Sequence, residues 1–197
     1  MLSVIIPTEN AERALVPTLA MLVPGAAAGV VREVVLADAE SSDQTGEVGD
    51  IAGCRIVASR QPVGARLRSA ALSARSPWLM FLRPGTVLDP DWSDEVMRFI
   101  DHAGRAGREA AVFRPTPRIQ ARYPGLQEMA ALLRLSLGGR LHPDHGLVIA
   151  SELYRALGGH CDNSADAESV LLRRIGRGRI TVLRSAAKRV AVNYPPT

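Results

Sequence analysis

Short apolar runs alternate with helix-length segments through the first 82 residues of this 197-residue chain. The runs are rich in β-branched or bulky apolar residues and too short for helices, which favours buried strands. The predicted strands are Leu2–Ile6, ended by Pro7, then Val31–Ala37, Arg55–Ala58 and Trp78–Leu82; the predicted helices are one capped by Asn10 and running to about Met21, then Thr45–Ala52 and Val63–Ala74. This alternation predicts βαβ units, and therefore an α/β fold with a mostly parallel sheet covered by helices on both faces.

The second half of the chain is less regular. Asp89 and Asp91 flank Pro90 before an apolar-periodic segment, a pattern that predicts a helix toward His102 with Asp89 as N-cap. Further predicted strands are Ala110–Phe113, Gly146–Ala150, Ile180–Leu183 and Arg189–Val192, and further predicted helices are Leu126–Leu137, Glu152–Leu157 and Asp166–Ile175. With 47% apolar residues and no visible linker, the sequence predicts one domain over residues 1–197.

Composition argues against several classes of protein. The net charge is +4, but the arginines are scattered and only 4% of residues are aromatic, so a nucleic-acid surface is not expected. Cys54 and Cys161 belong to no CxxC pair, which favours a reducing cytoplasm. The first apolar run is too short for a signal peptide, and prolines interrupt the apolar residues 14–31, so no membrane span is expected.

Several short motifs occur in an order that belongs to a known family. They are SVIIPT with Asn10 at the start, ADAESSDQT at residues 37–45, Ala65-Arg66 with Ala70-Ala71, WLMFLRPGTVLDPDW at residues 78–92, PDHGL with Gly158-Gly159, and Asp166-Ala167-Glu168 with Arg173-Arg174. Together they resemble the compact family 2 glycosyltransferases of the GT-A fold, over nearly the whole chain. The resemblance implies inverting transfer of a sugar from a nucleoside diphosphate donor, with residues 1–88 binding the nucleotide and residues 89–197 facing the acceptor.

The resemblance also implies a set of nucleotide-binding residues at the first strand ends: Pro7, Thr8, Asn10, Asp38, Asp43 and Arg66. Asp38 has the chemistry to accept hydrogen bonds from a base and a ribose, although an Asx turn would also explain it. Asp43 equally suits a helix cap, since Thr45 follows two residues later. Arg66 is expected to reach a phosphate or the base as a charged donor.

The fourth strand departs from the family pattern. Members of the family end this strand in a DXD-type acidic motif that holds Mg²⁺ or Mn²⁺, whereas this chain has Arg83, Pro84 and Gly85, none of which is an anionic oxygen ligand. We therefore expect no metal cofactor and expect Arg83 to neutralise the diphosphate directly. The alternative is a catalytically deficient relative that binds a nucleotide or a protein partner, with Arg83 a mere surface residue.

The acceptor side offers two candidate bases and a candidate pocket. The resemblance points to Asp166 as the general base, with Glu168 as the alternative, while first-turn acids of a helix would account for both without catalysis. Asp144 and His145 are expected to line the acceptor pocket. The apolar face of Leu126–Leu137 favours core packing, and docking at a membrane surface is the less favoured alternative. The sequence names neither the sugar, nor the acceptor, nor the oligomeric state.

Overall fold

A computed structural model of the chain describes residues 1–106, 109–115, 143–162, 164 and 166–190. Within these ranges one sheet has the strand order β3-β2-β1-β4-β7-β6-β8-β5, and its strands are β1 Leu2–Thr8, β2 Val31–Asp38, β3 Arg55–Ala58, β4 Trp78–Phe81, β5 Thr86–Leu88, β6 Ala110–Pro115, β7 Leu147–Ala150 and β8 Ile180–Arg189. The helices are α1 Glu12–Ala27, α2 Thr45–Ile51, α3 Val63–Leu72, α4 Trp92–Ala106, α5 Ser151–Ala156 and α6 Ala167–Ile175, with 3-10 turns at Pro143–His145 and Arg177–Arg179. The predicted helix Leu126–Leu137 lies outside the described residues.

The first half of the sheet is parallel, as the sequence predicted. Strand β1 pairs in parallel with β2 and β4, and β2 pairs in parallel with β3. The second half is mixed, because β7 runs antiparallel to β4 and β6, while β8 is parallel to β6 and antiparallel to β5. The four parallel strands therefore end at one edge, which is where ligands bind in sheets of this kind.

Both faces of the sheet are buried. Successive residues of β1 point to opposite faces and pack in two different parts of the core. Val4 and Ile6 belong to the core under α1 and α4, whereas Ile5 belongs to the core under α3, α5 and α6. All three side chains have no exposed surface. This double burial explains why β1 is a continuous apolar run rather than an alternating one.

Two expectations about β1 and α1 were wrong. The strand does not stop at Pro7 but pairs with β2 through Thr8, and the helix begins at Glu12 without a cap from Asn10 and continues to Ala27. Pro17 and Pro24 are tolerated inside the helix because the carbonyls that lose their partners lie on its exposed side. Among the described helices, none combines the length and apolarity needed to cross a membrane.

The C-terminal part of the sheet also differs from expectation. Strand β8 extends the predicted strand Ile180–Leu183 to Arg189, the predicted strand Arg189–Val192 lies partly outside the described residues, and Asp89 does not cap α4. The Asp89 carboxylate instead accepts hydrogen bonds from the Ala186 amide at 2.9 Å and from Lys188 Nζ at 2.8 Å. The Asp89-Pro90-Asp91 string is therefore a structural connection between the start of α4 and β8.

A glycine brings α6 close to the sheet edge. An added Cβ at Gly64, in the first turn of α3, would lie 2.0 Å from the Cys161 carbonyl oxygen and 2.9 Å from Ala167 Cβ. A side chain at this position would push the start of α6 away from α3. Gly64 thus allows Asp166 and Glu168, on either side of Ala167, to approach the ends of the strands.

Candidate functional site

Asp38 and Thr8 end neighbouring parallel strands and form the first part of the site. Thr8 is paired with Asp38 in the β1–β2 register, and its hydroxyl donates to Asp38 Oδ1 at 2.7 Å. The Ser41 hydroxyl donates to the same oxygen at 2.6 Å, and the Ser41 amide donates to Oδ2 at 2.7 Å. Burial alone would raise the pKa of Asp38, but these hydrogen bonds and the nearby Arg66 charge hold it below its usual value. The Asp38 carboxylate is therefore ionised and forms an Asx turn. Its oxygens can still accept further hydrogen bonds.

Arg66 lies beneath this edge rather than on it. Its side chain is 5% exposed, and Nη1 donates to the carbonyl oxygens of Thr8 at 2.9 Å and Ala37 at 2.6 Å. Its Nε donates to the Gln61 carbonyl oxygen at 3.1 Å, and Nη2 lies 3.9 Å from Glu9 Oε2. The guanidinium therefore connects the ends of β1 and β2 with the loop before α3. These contacts account for a buried arginine without any ligand.

Asp43 and Asn10 connect the loop after β1 with the loop after β2. Asp43 Oδ2 accepts the Glu12 amide at 3.1 Å, and Oδ1 accepts the Thr45 amide at 3.0 Å, so one carboxylate caps both α1 and α2. Asn10 Oδ1 accepts the Ser42 amide at 2.9 Å. The capping alternative for Asp43 is confirmed, while direct nucleotide contacts of Asp43, Asn10 and Pro7 stay predictions.

Arg83, beyond the end of β4, lies at the centre of an ionic cluster. Its Nε donates to Glu168 Oε2 at 3.0 Å, Nη2 contacts the same carboxylate, and Nη1 lies 3.3 Å from Asp144 Oδ1. Arg189, at the end of β8, approaches the same Asp144 oxygen through Nη1 at 3.0 Å. Burial alone would lower the pKa of Arg83, but Glu168, Asp144 and Asp166 together raise it. The cluster unites four sheet-edge segments that are far apart in sequence.

The two candidate bases differ in environment. Glu168, whose side chain is 16% exposed, is held by two nitrogens of Arg83. Asp166 is exposed at the N-terminal end of α6, its side chain makes no capping bond, and its charge acts on Arg83. Both nitrogens bind one oxygen of Glu168 in a partly buried ion pair, whereas the Asp166 carboxylate is exposed, so Asp166 is the more accessible of the two.

The predicted acceptor residues Asp144 and His145 share the 3-10 turn that precedes β7. Asp144 faces Arg83 and Arg189, so its position is set by charge. His145 is half-buried in the same turn. The turn thus forms the side of the site opposite the Asp38 edge, with Arg83 between them along the sheet.

Sequence reasoning missed a buried histidine next to the cluster. His160 is 2% exposed, its Nδ1 lies 2.9 Å from the Tyr154 hydroxyl, and its ring centroid lies 4.8 Å from that of Phe81. Burial lowers the pKa of His160 to about 3, so the ring is neutral. A small cavity adjoins it, lined by Phe81, Gly146, Leu147, His160, Glu168 and Leu172. The doublet Gly158-Gly159, which turns the chain back toward Tyr154, was the sequence signal available for this packing.

The residues at the end of β4 do not fit a divalent cation. Gly85 occupies the place of the family's acidic ligand with a φ of +84°, a conformation that favours glycine. Its amide donates to the Ala14 carbonyl oxygen at 2.8 Å and to Thr18 Oγ1 at 2.9 Å, both on α1. Among the described residues, no group of three or more His, Cys, Asp or Glu side chains is arranged to hold a metal ion. The neighbouring carboxylates face a guanidinium instead.

Several solved GT-A glycosyltransferases have the same architecture, and this chain has the GT-A fold. Glucosyl-3-phosphoglycerate synthase from Mycobacterium tuberculosis, solved with Mn²⁺ and uridine-diphosphate-glucose, is similar with a TM-score of 0.70 at 19% identity, over 99% of this chain and 72% of that one. The same enzyme in complex with phosphoglyceric acid gives a TM-score of 0.69 at 19% identity, over 99% and 73% of the two chains. S. aureus TarS, residues 1–349, gives 0.68 at 16% identity, over 92% of this chain and 57% of that one. In sequence, the chain matches no family profile and no curated protein. The expected fold is confirmed.

Proposed function

We propose that this protein is an inverting, family 2-type glycosyltransferase that uses a nucleoside diphosphate sugar as donor. The observation that carries the proposal is the position of Asp38, Arg83 and Asp166 along one carboxyl edge of a GT-A sheet. Structural neighbours bind uridine diphosphate and its glucose ester. The edge offers the ionised Asp38 as a hydrogen-bond acceptor for the nucleoside and the Arg83 guanidinium for the diphosphate. The exposed Asp166 carboxylate serves the molecule that receives the sugar.

The residues suit the steps of such a transfer. Asp166 takes the proton from the acceptor hydroxyl, whose oxygen forms a bond to the anomeric carbon of the donor sugar. The bond between that carbon and the diphosphate oxygen breaks, and the diphosphate leaves with the electron pair. Arg83 stabilises the negative charge that develops on this leaving group, because guanidinium pairs well with phosphate oxygens. Glu168 keeps Arg83 in place through the contacts of Nε and Nη2.

We also propose that donor binding needs no metal and that the protein works in the cytoplasm. The first proposal is supported by Gly85 and by the engagement of the nearby carboxylates with Arg83. The second is supported by Cys54 and Cys161, which are both unpaired and half-buried. The acceptor is a hydroxyl compound of unassigned class.

A non-catalytic nucleotide-binding protein is the second candidate. The observation that favours it is the ion pair between Arg83 and Glu168, which occupies one candidate base in an internal contact. Release of UDP or GDP from the corresponding sugar donors distinguishes the two candidates. A catalytic protein releases the diphosphate in proportion to time and enzyme, whereas a binding module does not.

Calorimetric titration with UDP and GDP tests the donor site directly. We expect one of them to bind the wild-type protein, with the same affinity in EDTA as in Mn²⁺ or Mg²⁺. Asp38→Asn should weaken this binding, and Arg83→Ala should weaken it by about ten- to a hundredfold, since a charged hydrogen bond contributes roughly 1.5–3 kcal/mol. If neither nucleotide binds at millimolar concentration and Asp38→Asn changes nothing, the donor site does not exist.

A further inference from the structure

A second arginine reaches the place where the metal ligand is missing. Arg189 is paired with Thr86 across the β5–β8 ladder, directly beside Gly85. The Val190 amide, one residue further, donates to the Gly85 carbonyl oxygen at 2.9 Å. The end of β8 therefore covers the strand end on which Arg83 stands, although no sequence motif links the two segments.

The guanidinium groups of Arg83 and Arg189 converge on one atom. Both Nη1 nitrogens contact Asp144 Oδ1, at 3.3 Å and 3.0 Å. Two groups of like charge repel each other, and an anion that contacts both offsets this repulsion. Asp144 supplies that anion from within the chain. The arrangement is one that a phosphate oxygen satisfies equally well, because guanidinium forms strong, directional pairs with phosphate as with carboxylate.

Charge and access both suit a diphosphate in this position. Two guanidinium groups carry the same formal charge as the divalent cation whose ligand is absent, and Glu168 balances one of the two, so one positive charge remains for the diphosphate once Asp144 is displaced. Arg83 uses Nε and Nη2 for Glu168, so the Nη1 edge toward Asp144 is the part that can be exchanged. The side chain of Arg189 is 54% exposed and that of Asp144 is 26% exposed, so an incoming anion can reach both.

We propose that Arg83 and Arg189 form one diphosphate-binding site, in which the donor diphosphate replaces Asp144 between the two guanidinium groups. The inference rests on the proposed function for the identity of the ligand, and it adds Arg189 as a binding residue and Asp144 as the internal competitor. Glu168 is a positioning residue that holds Arg83 while its other edge changes partner. Binding at this site depends on ionic strength, because Arg189 is half exposed.

Inorganic pyrophosphate in EDTA is the probe, since it contains the diphosphate without the nucleoside. Calorimetry should detect binding to the wild-type protein at millimolar concentration, and Arg189→Ala should weaken it by about five- to tenfold. Arg189→Lys should retain part of the affinity. The control is Arg184→Ala, which removes the same charge from an exposed position of the same strand and should leave the affinity unchanged.

The pyrophosphate affinity of Asp144→Asn distinguishes competition by Asp144 from a purely structural role of this residue. Removing the competing charge should tighten pyrophosphate binding severalfold, whereas damage to the site would weaken it. The proposal is overturned if pyrophosphate does not bind, if Arg189→Ala binds like the wild type, or if Asp144→Asn binds more weakly. Thermal unfolding of each variant confirms that it is folded.

The same titrations separate this inference from the proposed function. If UDP and GDP bind no more tightly than pyrophosphate, the nucleoside edge at Asp38 contributes nothing and the donor assignment fails, while the two-arginine site stands. If UDP or GDP binds the wild type and Arg189→Ala equally, the two-arginine site fails and the donor assignment stands.

Discussion

Replacement of His160 should remove a large part of the pH dependence of folding. Burial lowers the pKa of His160 in the folded protein to about 3, from a usual value of 6.5. Between these values the unfolded chain binds a proton that the folded chain does not, so stability is lost as the pH falls below 6.5. The slope is about 1.4 kcal/mol per pH unit, which amounts to about 2 kcal/mol between pH 7 and pH 5.

Urea unfolding of wild type and His160→Gln at pH 7, 6 and 5 measures this effect. Carboxylates contribute little in this window because they are ionised in both states, so the part of the loss that differs between wild type and His160→Gln is assigned to His160. We expect His160→Gln to lose much less stability between pH 7 and pH 5, whatever its absolute stability at pH 7. The matched control is His102→Gln, at an exposed position of α4, which should follow the wild-type curve. Equal pH slopes for wild type and His160→Gln would refute a neutral, buried imidazole.

Two further predictions concern the candidate site. Asp166→Asn should abolish sugar transfer without weakening UDP or GDP binding, because Asp166 is exposed and makes no capping bond; undiminished turnover in this variant would remove Asp166 as the base. Arg66→Met should destabilise the protein by about 3 kcal/mol, since it leaves two buried carbonyl oxygens without their charged donor. The control is Arg68→Met on the same helix, which should cost less than about 1 kcal/mol because the pair of Arg68 with Asp162 is exposed. Chemical denaturation of the two arginine variants decides this, and equal losses would contradict the structural role of Arg66.

The parallel half of the fold was predictable because its signals are local. Each of the first four strands is a short apolar run, and β1 is buried on both faces, so the pattern needs no knowledge of distant partners. Strand β5 was not predictable, since Thr86–Leu88 is short and its pairing depends on β8, about a hundred residues further along. Non-local pairing of this kind leaves no periodicity in the sequence.

Strand β8 was not predicted as one strand because a distant side chain stabilises its polar middle part. The polar residues Arg184 and Ser185 interrupt its apolar pattern, which is why two short strands were predicted. In the structure, Glu95 of α4 accepts both amides, Arg184 at Oε1 and Ser185 at Oε2, each at 2.6 Å. The strand continues because a carboxylate from another element satisfies its backbone.

The positions of the candidate residues along the sheet edge were predictable, whereas their contacts were not. Asp38 was expected at a strand end, and its Asx-turn bonds to Ser41 are local. The partners of Arg83 lie 61 and 85 residues away, at Asp144 and Glu168, and the expectation of a free guanidinium on the diphosphate did not include them. Only the folded chain shows that one candidate base and one candidate acceptor residue surround this arginine.

A crystal structure with a bound nucleoside diphosphate, grown in EDTA, would show whether Arg83 binds the diphosphate without a metal ion. We expect the base and ribose at the Asp38 edge and the diphosphate in contact with the Nη1 edge of Arg83, while Nε and Nη2 remain on Glu168. A nucleotide whose diphosphate turns away from an Arg83 that still contacts Asp144 would contradict the proposed role of Arg83. So would a complex that forms only when a divalent metal ion lies between the diphosphate and these carboxylates.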